Sequence, residues 1–141
     1  MFMDVQKIRG ASMLFLNNKK EILLLLRDDI PNIPFPNTWD ILGGHMDENE
    51  TPEKCIVREM KEEIGVDIGT PVLFRKTQLD DGIEYTFWKK ADFDIEDINL
   101  HEGQKLQWFS EEEVKNTPDD KTYPGVKKIA AYFFEAKPFE N

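Results

Sequence analysis

Cysteine is almost missing from this chain. Cys55 is the only thiol among 141 residues, so no intrachain disulfide can form, which excludes a disulfide-stapled fold and leads us to expect a cytoplasmic home. Long apolar runs are missing as well. The aliphatic stretch Ile22 to Leu26 falls far short of the ~18–20 residues that a bilayer-spanning helix needs, so no membrane partner is expected. The opening MFMDVQKIRG has no basic segment followed by an apolar core, so no secretory leader is read there. Positive charge is scarce: 18 Lys and Arg stand against 28 Asp and Glu, giving a net charge of −10. Without a basic stripe, a general grip on nucleic-acid backbone is not expected, because counterion release needs clustered cations. A small phosphate-bearing ligand stays open, since bound cations can invert a local field. Proline and glycine, eight of each, are too few for a linker-rich or disordered chain. What remains, at 40% hydrophobic and 33% charged, suits one globular domain over 1–141 with a substantial core.

Apolar runs and turn residues divide the chain. Residues 9–16 and 21–27 read as strands joined by Asn17-Asn18-Lys19-Lys20, the second buried on both faces. Arg27 closes that strand, either snorkelling at its end or touching a substrate. Residues 28–38 hold three prolines and can be neither helix nor central sheet, so an ordered surface loop is expected. Trp39–Leu42 reads as a short strand entering Gly43-Gly44. Residues 71–78 and 84–91 flank Leu79-Asp80-Asp81-Gly82, where Asp-Gly signals a hairpin. A loop over 93–102 leads to a short strand at 105–109. Ser110 and Glu113 form a capping box, and 126–134 has helical spacing with Ile129, Ala130 and Phe133 inward.

The stretch Gly44 to Val66, GHMDENETPEKCIVREMKEEIGV, is a Gly-containing turn running into one acidic amphipathic helix. Thr51 suits the N-cap, Pro52 the first helical position and Gly65 the left-handed C′ position. Val57, Met60 and Ile64 fall on one stripe that should face a core. Glu59, Glu62 and Glu63 share a neighbouring arc of about 100°. Charges ~5–6 Å apart on a partly desolvated face repel by roughly 3 kcal/mol at an effective dielectric near 20. A hard divalent cation would turn that repulsion into coordination; a solvated acidic face is the alternative. Cys55, beside this face, reads as packing rather than as a nucleophile.

Gly44, Glu50, Arg58, Glu59, Met60, Glu62, Glu63, Gly65 and Val66 match every fixed position of the Nudix box, and the chain therefore resembles a Nudix hydrolase. The resemblance implies an α/β/α sandwich with a mixed β-sheet; periodicity alone gives the α/β class. It also implies hydrolysis of phosphoric anhydride bonds in nucleoside diphosphate derivatives with Mg²⁺ or Mn²⁺. Carried over by position, Glu59, Glu62 and Glu63 become metal ligands, with Gly44 offering its carbonyl. Arg58 would pair with a box carboxylate, Glu62 being expected, and Glu50 would brace the box loop or hold a bridging water. Leu42 departs from the proline that many Nudix sequences carry before the Gly-Gly pair.

His101-Glu102-Gly103-Gln104 before Leu106–Phe109 is similar to a segment of the MutT-type branch, whose glutamate joins the metal site. That resemblance implies Glu102 as ligand or general base. It also implies a nucleoside triphosphate cleaved to monophosphate and pyrophosphate. The asparagine that oxidised-guanine enzymes carry before the last helix is absent from Asp120–Gly125, where Thr122 and Tyr123 are the candidate base contacts. A nucleotide-sugar hydrolase and a non-catalytic nucleotide-binding domain are the alternatives, and either a monomer or a homodimer is compatible.

Overall fold

The computed structural model describes residues 8–140. Met1–Lys7, most of the stretch in which no secretory leader was read, lie outside them. Strands β1 (Ile8–Leu16) and β6 (Gly82–Lys90) run parallel at the centre, in register from Ile8 opposite Gly82 to Leu16 opposite Lys90. β5 (Val72–Leu79) adds antiparallel to β6, and β4 (Leu42–His45) antiparallel to the other edge of β1. β2 (Ile22–Leu26) meets β1 through the pair Leu16–Ile22. It carries β3 (Trp39–Asp40) on one edge and β7 (Lys105–Phe109) on the other. This is the expected mixed sheet.

Strand alternation sends successive side chains to opposite faces, and each face is covered. On one, Ala11, Met13, Phe15 and Phe87 pack under helix α1 (Pro52–Ile64) through Cys55, Ile56, Met60 and Ile64. On the other, Leu14, Leu16, Ile22 and Leu24 meet α2 (Glu111–Asn116) and α3 (Val126–Ala136) through Val114, Val126, Ala130 and Phe133. The helices thus flank the sheet as an α/β/α sandwich. No helix among the described residues is long and apolar enough to cross a membrane.

Local chemistry explains the boundaries. Thr51 accepts a hydrogen bond from the Lys54 amide and Gly65 ends α1 at φ 69°. The Ser110–Glu113 capping box is complete. Two details depart from the sequence reading. The core stripe of α1 runs through Ile56, Met60 and Ile64, while Val57 is only partly buried at its flank. The reason is that the helix rests on its Cys55 side, and this also carries Glu63 inward. The single strand expected over Trp39–Leu42 is divided. Asp40 Oδ1 accepts the Ile41 amide at 2.8 Å, so that N–H leaves the ladder and the chain crosses from β2 to β1.

Candidate active site

The box helix is held against its preceding turn by Arg58. Its Nε and one terminal nitrogen donate to the two Glu50 oxygens at 2.7 and 2.9 Å. The same terminal nitrogen reaches the His45 carbonyl at 3.1 Å. The other donates to Glu59 at 2.9 Å and to Glu62 at 3.2 Å. Glu50, not Glu62, is therefore the principal partner. Its two oxygens match the planar fork of a guanidinium, whereas Glu62 is largely exposed. Glu50 also accepts the Asp47 amide at 2.9 Å and so braces the box loop. The Arg58 hydrogen bond holds the Glu50 carboxyl down to about 2, and Arg58 is raised in turn, first by Glu50.

Glu59 lies over Gly44. A Cβ on that glycine would overlap the Glu59 carboxyl group, so only glycine lets the box turn and helix approach this closely. Glu63 is 5% exposed and its Oε2 has no hydrogen-bond partner among the described residues. Burial raises its pKa most. The Glu59 carboxyl, near enough to share a proton, raises it further, and the charges of Glu102 and Asp40 add to this. An unpartnered buried carboxylate is costly, and a hard cation is the partner that such oxygen donors suit. Glu59, Glu63 and the Gly44 backbone fit a divalent ion in donor chemistry. Among the described residues, however, no three Asp, Glu, His or Cys side chains already close around one point; Glu59 and Glu62 are drawn to Arg58 instead.

Glu102 is exposed, on a loop pinned to both sides of the site. The His101 amide donates to the Glu63 carbonyl at 3.0 Å, at the end of α1. The Gln104 amide donates to the Leu26 carbonyl at 2.8 Å, and its side chain to the Arg27 carbonyl at 2.7 Å and Asn37 at 2.8 Å. Gly103 makes the turn at φ 85°, pressed on Leu25. Cys55 is fully buried and desolvation pushes its thiol to about 12, which makes it packing material.

The other candidates gather elsewhere. Arg27 donates to the Pro34 carbonyl at 2.9 and 3.2 Å, meets Asp40 at 3.4 Å and covers the Tyr123 ring at 4.9 Å. It thus clamps the proline-rich loop. Thr122 and Tyr123 line a cleft of about 580 Å³ with Phe35, Thr38 and Lys128, and none of the box carboxylates lines it. Asp40 escaped the sequence reading. Burial pushes it up to about 6 despite Arg27, and its position beside Gly43-Gly44 on an otherwise apolar strand was the available signal.

The NUDIX domain family model matches residues 6–133. The chain belongs to the Nudix family. It is 29% identical over 109 residues to the 8-oxo-dGTP diphosphatase of Escherichia coli (strain K12), covering 75% of this chain and 82% of that protein. It is 28% identical over 123 residues to the RNA pyrophosphohydrolase of a Nitratiruptor species, covering 87% and 70%. Three further relatives are matched over only 34%, 27% and 21% of their own lengths. Among solved structures, the MutT protein of Methanosarcina mazei Go1 shares the fold at a TM-score of 0.73 and 20% identity, covering 97% of this chain and 99% of that one.

Proposed function

We propose that this Nudix chain is a divalent-cation-dependent, cytoplasmic hydrolase that cleaves a nucleoside triphosphate to monophosphate and pyrophosphate. The observation that carries it is Glu63, buried with one oxygen unpartnered, amid Glu59, Glu102 and Asp40. Relatives named for 8-oxo-dGTP and for RNA support a nucleotide phosphate anhydride as the substrate class. Bound Mg²⁺ or Mn²⁺ would neutralise phosphate oxygens and acidify a coordinated water. Glu59, Glu63 and the Gly44 carbonyl would hold the ion, with Glu62 and Glu102 completing the ligand set.

The chain's own residues do the positioning. Arg58 fixes Glu59 and Glu62 on one edge while Glu50 anchors the other. Glu102, exposed at the rim, accepts the proton of the attacking water. That water adds to the β-phosphorus, the α–β bridging bond breaks, and the monophosphate leaves. Arg27, Thr122 and Tyr123 flank the nucleoside.

A phosphate-release screen with Mg²⁺ over nucleoside triphosphates, nucleotide sugars, ADP-ribose, dinucleoside polyphosphates and 5′-triphosphate RNA tests the substrate class. Triphosphates should be turned over best. In ¹⁸O-water the label should appear in pyrophosphate, and label confined to the monophosphate would overturn β attack. Glu102→Gln should lower kcat more than it raises KM; full activity would remove Glu102 from the chemistry.

A further inference from the structure

Phe35 is 52% exposed, although a phenylalanine ordinarily buries its apolar area. Its backbone stands at φ 48° between Pro34 and Pro36, a left-handed conformation that a bulky L-residue rarely adopts. Neighbouring hydrogen bonds impose it. The Thr38 hydroxyl donates to the Phe35 carbonyl at 2.7 Å, Arg27 to the Pro34 carbonyl at 2.9 Å, and the Asn37 amide to the Asp28 carbonyl at 3.0 Å. Strain held in this way gathers at positions that clamp a ligand.

The ring borders the cleft of about 580 Å³, a size that suits a small organic ligand. It meets Tyr123 edge to face, with centroids 5.3 Å apart, and Arg27 covers Tyr123 in turn at 4.9 Å. The polar side chains of the cleft are largely engaged with the protein itself. Thr38 holds the Phe35 carbonyl, Thr122 the Asp119 carbonyl at 3.1 Å, and Lys127 the Asp119 carboxylate at 2.8 Å. Asp120 and Lys128 are exposed, where a bond to a ligand gains little over one to water. The cleft therefore offers ring area more than a pattern of donors and acceptors. Two hydrogen bonds join it to the box side. The Tyr123 amide donates to the carbonyl of Trp39, in the segment that leads into Gly43-Gly44, and Gln104, on the Glu102 loop, donates to Asn37.

We propose that Phe35 is the surface on which the nucleobase stacks, on the nucleotide reading given above. Every base has a π-face, so stacking on an aromatic ring tolerates any base and favours the larger ones. Phe35 thus makes the chain prefer purine nucleotides as a class, without telling guanine from hypoxanthine.

Calorimetric titration of the intact chain, in the presence of Mg²⁺, with nucleoside monophosphates and with inorganic pyrophosphate tests this. The guanosine, inosine and adenosine forms should bind within about threefold of one another, and the cytidine and uridine forms more weakly. Phe35→Ala should weaken the purine forms roughly fivefold to a hundredfold, the contribution of one stacked base, and leave pyrophosphate unmoved. Phe35→Trp should keep binding, whereas Phe35→Leu, apolar but without a ring face, should not. Because Phe35 is exposed, all three variants should keep the wild-type urea midpoint. Unchanged purine affinity in Phe35→Ala, full binding by Phe35→Leu, an equal loss for pyrophosphate, or no purine preference in the wild type overturns the assignment. So does a guanosine form bound more than about tenfold above the inosine form, which would mean hydrogen-bond readout. Monophosphate binding needs no turnover. A chain that stacks purines on Phe35 without hydrolysing triphosphates therefore defeats the proposed reaction and leaves the Phe35 assignment standing.

Discussion

Two acids in this protein, Glu63 buried and Asp40 half-buried, sit in places that favour their neutral forms, with different consequences. Asp40 is pushed from 3.8 to about 6, chiefly by burial. An acid whose folded pKa is raised binds more protons folded than unfolded, so stability falls as pH rises from about 4 to about 6 and the deficit persists above. Asp40→Asn should flatten that slope and gain about 1–2 kcal/mol at neutral pH. The loss of its 3.4 Å contact to Arg27 offsets part of the gain. Urea denaturation below and above that window measures it, and an undiminished slope would assign the effect to another group. Glu63→Gln should abolish most turnover because an amide is a poor ligand for a hard cation. It should leave the metal-free protein as stable or more so, since a buried, unpartnered carboxyl that must take up a proton to stay neutral is gone. Full turnover in a folded Glu63→Gln protein would remove it from the chemistry.

Helix α1 owes its attachment to the box turn largely to one ion pair. Glu50→Ala strips the two-pronged bond from Arg58 and the brace on the Asp47 amide. Discounted for partial exposure, the cost should be about 1–2 kcal/mol, read as a lower urea midpoint with an unchanged slope. Glu59 and Glu62 lose their orientation with it, so turnover should fall more than nucleotide binding. A midpoint like the wild type's would show that the turn holds itself. This pair also marks what could be read beforehand. The caps at Thr51, Pro52, Gly65 and Ser110, the Asp80-Asp81 hairpin and the apolar alternation of the strands were all legible, because each follows from neighbours in sequence. The choice of Glu50 over Glu62 was not. An i to i+4 pairing on a helix is visible in sequence, but the folding back of the turn before it is tertiary. The burial of Asp40 escaped for a similar reason: it is an acid on a strand, and what covers it depends on which strands become neighbours. Glu102 is proposed from its resemblance alone, while the anchorage of its loop through His101 and Gln104 depends on β2 and α1 meeting the same loop.

Over the whole molecule, a net charge of −10 would confront the anionic nucleotide proposed above as substrate. Beyond the site the two repel, and screening shortens that repulsion to about one Debye length. At fixed, saturating Mg²⁺, raising monovalent salt from low to physiological strength should therefore raise kcat/KM or leave it level. A steep fall would reveal a local positive field able to draw the substrate in. The loop from His101 to Gln104 has a consequence of a mechanical kind. Its amides are fastened at one end to the last turn of α1 and at the other to the edge of β2, while the Gln104 side chain ties in Asn37. It acts as a tie-rod between the acid-bearing helix and the proline-rich rim. Neither can swing away without straining the other, so the box helix and the proline-rich rim form one cooperative opening unit rather than two.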